Sequence, residues 1–219
     1  MQSLSMIQTL SVAIVPVMLA ITVHEAAHGL VADKLGDHTA RAAGRVTLNP
    51  LKHIDLFGTI ILPLAMFALT NFMFGWAKPV PVNWRNLKNP RRDTALVAVA
   101  GPLANFVMLL LWSVILAVST QVAGWSDWLG VPLFYMATYG ILINAVLMVL
   151  NLLPLLPLDG GRITSSLLPT RISVMYEKTE PWGFFILIGL LVSGILSQIL
   201  MPAIGFLKMI SAQIVGIVL

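Results

Sequence analysis

The sequence predicts an all-α polytopic membrane protein, and two features of its composition carry this prediction. Hydrophobic residues occupy 58% of the 219 positions and charged residues only 10%, whereas a soluble domain carries about 25% charged residues. The apolar residues also fall into runs long enough to cross a bilayer as helices, which takes about 20 residues. We expect about five to six apolar helices, one of which can be re-entrant, and a short extended, β-like loop.

The apolar runs and the loops between them give the order of the helices. Lysines and arginines stand in short loops, where they set the orientation in the membrane, so the net charge of +4 does not indicate a nucleic-acid partner. The chain has no cysteine, which excludes disulfides and thiolate metal ligands. The predicted apolar runs cover about 7–31, 56–76, 94–122, 131–153, 182–200 and 203–218.

The second run, 56–76, is expected to differ from the others. Pro63 interrupts it, and basic loops lie on both sides of it, at 32–55 and 79–93. Because positively charged loops stay in the cytoplasm, both ends of this run favour the same side of the membrane. A re-entrant or interfacial segment meets that condition. The alternative is an ordinary span followed by an unusual basic external loop.

The sequence HEAAH at residues 24–28 ends the first apolar run. Histidines at i and i+4 share one helix face, so His24 and His28 can hold one zinc ion, and Glu25 between them can act as a general base. Ionisable groups in hydrocarbon are costly and therefore mark a functional site. The alternative is a helix end whose polar side chains reach toward the membrane surface.

A second polar constellation, NLLPLLPLDGG at residues 151–161, closes the fourth run. Its two prolines cannot continue a regular helix, and irregular backbone at membrane depth must be satisfied by protein or water. Zinc with two histidine ligands needs a third protein ligand, and Asp159 has the best depth among the carboxylates. To meet the histidines, Asp159 must follow a span that runs in the same direction as the first. The alternative is a loop or capping role for Asp159.

These motifs resemble those of the site-2 protease family of intramembrane zinc metalloproteases. AGPLAN at 100–105 is similar to a further family element, and its Gly101 permits close helix approach. The segments TLNP at 47–50, HID at 53–55 and GWAKPVPVN at 75–83 resemble the compact bacterial branch, which lacks PDZ and CBS domains. The resemblance covers about residues 23–162.

The resemblance implies a set of roles. One Zn²⁺ per chain would be held by His24, His28 and Asp159, with Glu25 as the general base. Asn151 and Asn105 would help to hold the substrate or the developing oxyanion. The alternative for Asn105, and the expected role of Asn144, is hydrogen bonding between membrane helices. The implied activity is hydrolysis of peptide bonds in or near transmembrane segments of membrane-protein substrates.

The resemblance also sets the expected organisation and location. We expect a single membrane domain, 1–219, with a catalytic core at about 7–162 and additional helices at about 182–218. The protein would lie in a bacterial cell membrane, with its active site nearer the cytoplasmic side. Residues 77–83 are too rich in proline for a helix; they could offer a strand edge to an unwound substrate or be a plain connector. His38 and His53 are expected to make structural hydrogen bonds; the alternative is a role as secondary metal-binding or gating groups.

Two other functions would use the same His/Asp cluster. A metal-ion transporter or channel would need polar sites across the whole bilayer, whereas the ionisable residues here gather at one depth. A catalytically silent membrane-binding protein would not need Glu25, because a structural zinc requires no base.

Overall fold

The computed structural model describes residues 4–61 and 78–218, and within them it is helical, with no strand. Short 3₁₀ turns lie at Pro50–Lys52 and Trp84–Asn86, and a π-helical segment covers Leu56–Ile61. The α-helices are α1 (Met6–Lys34), α2 (Thr39–Ala42), α3 (Pro90–Ala123), α4 (Asp127–Asn151), α5 (Asp159–Leu167), α6 (Thr170–Glu177), α7 (Glu180–Val192) and α8 (Ile195–Val218).

Four of the described helices are long and apolar enough to span a bilayer: α1, α3, α4 and α8. Helix α7 is apolar but only 13 residues long, which gives roughly 20 Å of rise against about 30 Å of hydrocarbon. Large apolar side chains such as Leu103 and Leu111 are more than half exposed on the spanning helices, as lipid-facing positions are. The predicted class, an integral membrane protein built from helices, is confirmed.

The last two apolar runs divide at a different place from the predicted one. We expected the break at residues 201–202, but α7 ends at Val192 and α8 continues through Pro202. The chain turns at Gly194, whose φ of +75° is available to glycine because it has no Cβ. Pro202 removes only one backbone hydrogen bond, which membrane helices tolerate.

Helices α1 and α3 run in opposite directions. His24 on α1 contacts Asn105 on α3, whereas His28, one turn later on α1, contacts the carbonyl of Val97, which lies earlier on α3. The hydrogen bonds that join them are short, at 2.6 and 2.7 Å.

Helices α3 and α4 are also antiparallel. Asn105 donates to Asn144, and Trp112 lies against Gly140, where a Cβ would overlap the indole ring. Glycine at that position therefore allows the two helices to approach closely. Because α1 and α4 are both antiparallel to α3, they run in the same direction. This confirms the expectation that the span before Asp159 runs in the same direction as the span that carries the histidines.

The two loops that flank the second apolar run lie side by side. The N–H of Lys78 donates to the carbonyl of His53 at 3.0 Å, and the N–H of Lys88 donates to the carbonyl of Leu35 at 3.2 Å. A single bilayer crossing would separate its two ends by about 30 Å. The expectation that both loops share one side of the molecule is met. Residues 62–77 lie outside the described part of the chain, so the re-entrant segment remains a prediction.

Candidate metal centre

Three side chains from distant parts of the chain meet at one point. His24 and His28 lie on one face of α1, and Asp159 begins α5. The two Nε2 atoms are 3.0 Å apart, and each lies 3.3 Å from Oδ2 of Asp159. His24 and His28 are 7% and 8% exposed, so the cluster is largely shielded from solvent. The structure therefore brings together the three residues predicted as metal ligands.

The size of this triangle fits a zinc ion. In a tetrahedral site with bonds of about 2.0–2.1 Å, two ligand atoms lie roughly 3.3 Å apart. The buried Oδ2 of Asp159 has no hydrogen-bond partner among the described residues, and an unpaired buried carboxylate oxygen is costly. A cation between the three atoms would remove that cost. Within the described residues, this is the one group of histidines and carboxylates close enough to hold a metal.

Hydrogen bonds on the far side of each imidazole orient both rings. His24 Nδ1 lies 2.6 Å from Oδ1 of Asn105, and His28 Nδ1 lies 2.7 Å from the carbonyl oxygen of Val97. Both oxygens are acceptors, so each Nδ1 carries the proton. The Nε2 lone pairs then face Asp159, which is the tautomer that a metal-binding histidine requires.

The orientation of Asn105 follows from its other partners. Its Nδ2 donates to the carbonyl of Ala20 at 3.2 Å and to Oδ1 of Asn144 at 2.9 Å. Asn144 Nδ2 in turn donates to the carbonyl of Gly140 at 2.8 Å, which turns its Oδ1 toward Asn105. Both amide hydrogens of Asn105 are thus used, and its oxygen accepts from His24.

This network shows what Asn105 does within the protein. It is fully buried, both of its amide hydrogens are used, and its oxygen lies against His24. Its expected role toward the substrate or an oxyanion remains a prediction. Asn144, which the sequence marked only as a polar group between helices, completes the support and was not predicted as part of the site.

Gly101 lets α3 reach the histidines. A Cβ at this position would lie 2.6 Å from Nε2 of His24 and closer still to Nε2 of His28. Any side chain would therefore displace the two ligand atoms. The predicted close approach of the helices at Gly101 is confirmed.

Asp159 is held by a compact, non-helical segment between α4 and α5. A Cβ on Gly160 would overlap the carbonyls of Leu152 and Leu153, so the DGG sequence allows α5 to fold back onto this segment. From the other side, α7 presses Gly183 against the carbonyl of Leu156, where a Cβ would also overlap. Gly183 was not predicted to matter, because a single glycine in an apolar helix gives no indication of its tertiary contact.

Glu25 contacts the segment that follows the undescribed residues. Its Oε2 accepts the N–H of Val80 at 2.7 Å. Residues 78–83 belong to no helix and form no ladder with another strand in the described part of the chain, and Asn83 has extended backbone. A loop therefore lies at the glutamate between the two histidines, while its expected β-like character remains a prediction.

The other polar residues singled out from the sequence lie apart from the cluster. Asn151 donates from Nδ2 to the carbonyl of Leu147 within its own helix, at 3.0 Å, and no described hydrogen bond joins it to the cluster. Its role toward substrate remains a prediction. His38 bonds Asp33 at 2.8 Å, and His53 bonds the carbonyl of Thr47 at 3.0 Å. Both are structural contacts, as expected.

Comparison with known proteins shows which family this chain belongs to. A model of peptidase family M50 matches residues 12–128 and 121–194. The "Putative zinc metalloprotease YwhC" of Bacillus subtilis is 37% identical over 209 residues, which cover 91% of this chain and 90% of that protein. The "Putative zinc metalloprotease Rip2" of Mycolicibacterium smegmatis is 31% identical over 183 residues, with coverage of 83% and 66%. No solved structure gives a significant match. The chain belongs to peptidase family M50 and is an intramembrane zinc metalloprotease.

Proposed function

We propose that His24, His28 and Asp159 hold the zinc ion and that Glu25 is the general base for peptide hydrolysis. The observation that carries this proposal is the triangle of ligand atoms with sides of 3.0–3.3 Å. Its fit to a tetrahedral zinc site, together with the proton on each Nδ1, supports metal binding rather than a simple ion pair.

The zinc ion and Glu25 have different roles in the proposed reaction. Zinc, when bound, would act as a Lewis acid that polarises the peptide carbonyl of the substrate and lowers the pKa of a bound water molecule. Glu25 takes the proton of the attacking water and passes it to the leaving amine. Its Oε2 is engaged by Val80, whereas Oε1 has no hydrogen bond from a described residue. We therefore assign the proton transfer to Oε1.

The substrate is proposed to be a transmembrane segment of another protein. Peptide carbonyls in a membrane helix are bonded within the helix, so the segment must unwind before it is cut. Residues 78–83 could pair with the unwound strand. Pro79 and Pro81 have no N–H, and Val80 already donates to Glu25, so this segment would offer mainly carbonyl groups. A substrate strand would then bind chiefly through its own N–H groups.

We propose that the site lies nearer the cytoplasmic side of a bacterial cell membrane. The ligands lie near the end of α1 that enters the basic loop 32–55, and the basic loop after residue 77 packs against the same region. Basic loops favour the cytoplasm. We also propose that the chain is one domain with its catalytic core at about 7–162. The contact of Gly183 with Leu156 supports including the C-terminal helices in that domain.

The deciding experiment uses purified protein in liposomes with a membrane substrate that contains helix-weakening residues. Glu25→Gln keeps size and hydrogen bonding but removes the base, so cleavage should fall by about two to four orders of magnitude. Zinc content should stay at the wild-type level. Cleavage that is equally fast in Glu25→Gln would refute the assigned base. Zinc transport across sealed liposomes without any cleavage would favour the transporter instead.

A further inference from the structure

Asp37 is a fully buried carboxylate outside the metal centre. It lies in the turn between α1 and α2 and is 0% exposed. No lysine or arginine of the described residues forms an ion pair with it. A carboxylate is rarely buried without a cation partner, so its hydrogen bonds must account for its position.

Both oxygens of Asp37 accept hydrogen bonds. Oδ1 accepts from the N–H and hydroxyl of Thr39, at 3.2 and 2.5 Å, and from Nδ2 of Asn86 at 3.0 Å. Oδ2 accepts the N–H of Asn83 at 2.8 Å. Burial alone would raise the pKa of Asp37, but these bonds hold it below its ordinary value. Asp37 is therefore an anion that binds the chain just before α3.

Arg45 makes the corresponding contact at the other end of the same segment. Its Nη2 donates to the carbonyls of Lys78 and Pro79, at 2.7 and 3.3 Å. Arg45 is 7% exposed. We call residues 78–83 the strap. Arg45 holds the start of the strap and Asp37 holds its end, and both come from the loop that follows α1.

Val80 lies between these two anchors and faces the catalytic helix. Its N–H donates to Oε2 of Glu25 at 2.7 Å, and it is 8% exposed. Its side chain packs on Gly29, where a Cβ would lie only 3.1 Å from Cγ1 of Val80. The strap thus touches α1 one turn after the glutamate and holds the glutamate itself.

The strap has little other backbone support. It belongs to no helix or sheet among the described residues, and Pro79 and Pro81 cannot donate hydrogen bonds. Its polar anchors are the bond between Lys78 and His53 and the side chains of Arg45 and Asp37. Val80 also packs on Gly29, and Val82 packs against the apolar cluster that includes Ala32. We therefore expect the hydrogen bond from Val80 to Glu25 to lose its geometry when a polar anchor is removed.

We propose that Asp37 is a positioning residue that acts with Arg45 to set the position of Glu25 through the strap. This inference rests on the proposed role of Glu25 as general base. Asp37 touches neither substrate nor metal; it fixes the N–H that orients the base.

Asp37→Asn is the informative variant. An amide has one acceptor oxygen, so its NH₂ group would face the donor of either Asn83 or Asn86, and one of these contacts would be lost. We expect kcat to fall by about tenfold to a hundredfold, because a misplacement near 1 Å can cost about 10²-fold. Zinc content should not change. Asp33→Asn is the matched control: Asp33 is also buried, at 6% exposure, but it pairs with His38 and Arg41 and not with the strap.

A double-mutant cycle separates positioning from general destabilisation. If Asp37 acts through Glu25, adding Asp37→Asn to Glu25→Gln should cause no further loss of the residual cleavage. Equal losses in both backgrounds, or wild-type kcat in Asp37→Asn, would overturn the inference. A Glu25→Gln protein with wild-type activity would instead refute the proposed function, so the two failures are distinguishable.

The strap can also be observed directly, since the chain has no cysteine. A single Val80→Cys keeps the backbone N–H and should be protected from a maleimide. In the Asp37→Asn background its labelling should accelerate at least tenfold, a rough figure for the loss of one anchoring hydrogen bond. Unchanged labelling would contradict the positioning role. If Asp37→Asn fails to fold, Arg45→Gln releases the other end of the strap and must give the same pattern of kcat, zinc content and labelling.

Discussion

Asn105 on α3 binds Nδ1 of His24 on α1 at 2.6 Å and thereby decides which imidazole nitrogen faces Asp159. The amide is fixed in turn by the carbonyl of Ala20 and by Asn144 on α4. Polar groups of three membrane helices therefore determine the state of one ligand. We therefore expect the proposed metal centre to depend on this interhelical network as well as on the three residues proposed as ligands.

Asn105→Ala should weaken zinc binding by about 10- to 100-fold, which is the usual effect of removing a group that orients a metal ligand. The measurement is zinc competition with a chelator on the purified protein. Ser113→Ala is the control, because Ser113 is a buried polar residue of the same helix that bonds Ser211 instead of the site. Equal zinc affinity in Asn105→Ala and wild type would contradict the supporting role.

Gly101→Ala should abolish both zinc binding and cleavage. The added Cβ would occupy the space next to the two Nε2 atoms, and the imidazoles cannot move away without leaving the metal. Gly205→Ala serves as the matched control, since a Cβ at Gly205 in α8 meets nothing within 4 Å. The prediction is checked by metal analysis of both proteins. Zinc at one per chain in Gly101→Ala would contradict the prediction, because the two helices would then have made room for the Cβ without losing the metal.

Asp159→Asn should reduce zinc content and turnover together. The amide oxygen carries no net charge and is a weaker ligand than the carboxylate that lies 3.3 Å from both imidazoles. Chelator treatment should inactivate this variant faster than the wild-type protein. If the purified variant kept full zinc and full activity, a different third ligand would have to be found.

Gly183→Ala should impair cleavage although Gly183 lies outside the predicted catalytic core. Its Cβ would overlap the carbonyl of Leu156, in the segment that leads to Asp159. Gly189→Ala on the same helix is the control, because a Cβ there meets open space. Activity and thermal unfolding of the two variants should be compared. Equal activity of both would mean that α7 does not support the Asp159 segment.

The loops on either side of residues 56–76 should be accessible from the same face of the membrane. Lys52→Cys and Arg85→Cys introduce single thiols at exposed positions, and an impermeant thiol reagent should label both from the cytoplasmic side only. Gln121→Cys, near the far end of α3, should label from the opposite side. Labelling of Lys52→Cys and Arg85→Cys from opposite sides would mean that the second apolar run crosses the membrane.

The sequence by itself determined the class of the protein and indicated the side chains that we propose as metal ligands. Long apolar runs indicate membrane helices whatever the tertiary structure. The spacing of His24 and His28 places them on one face of any α-helix, because i and i+4 are neighbours there. The prolines before Asp159 predicted unwound backbone, and the need for a third ligand predicted that the first and fourth spans run in the same direction.

Tertiary structure alone decided which distant residues meet around the site. Asn105 contacts His24 across 81 residues of chain, Asp37 accepts from Asn83 across 46, and Gly183 meets the Leu156 segment from a helix outside the predicted core. The end of α7 at Val192, followed by the turn at Gly194 instead of a break at residues 201–202, was likewise not predicted. The spacing of residues along the sequence determines which side chains share one face of a helix, because helix geometry is fixed. Which distant groups meet depends on how the helices pack, and no local pattern in a single sequence records that.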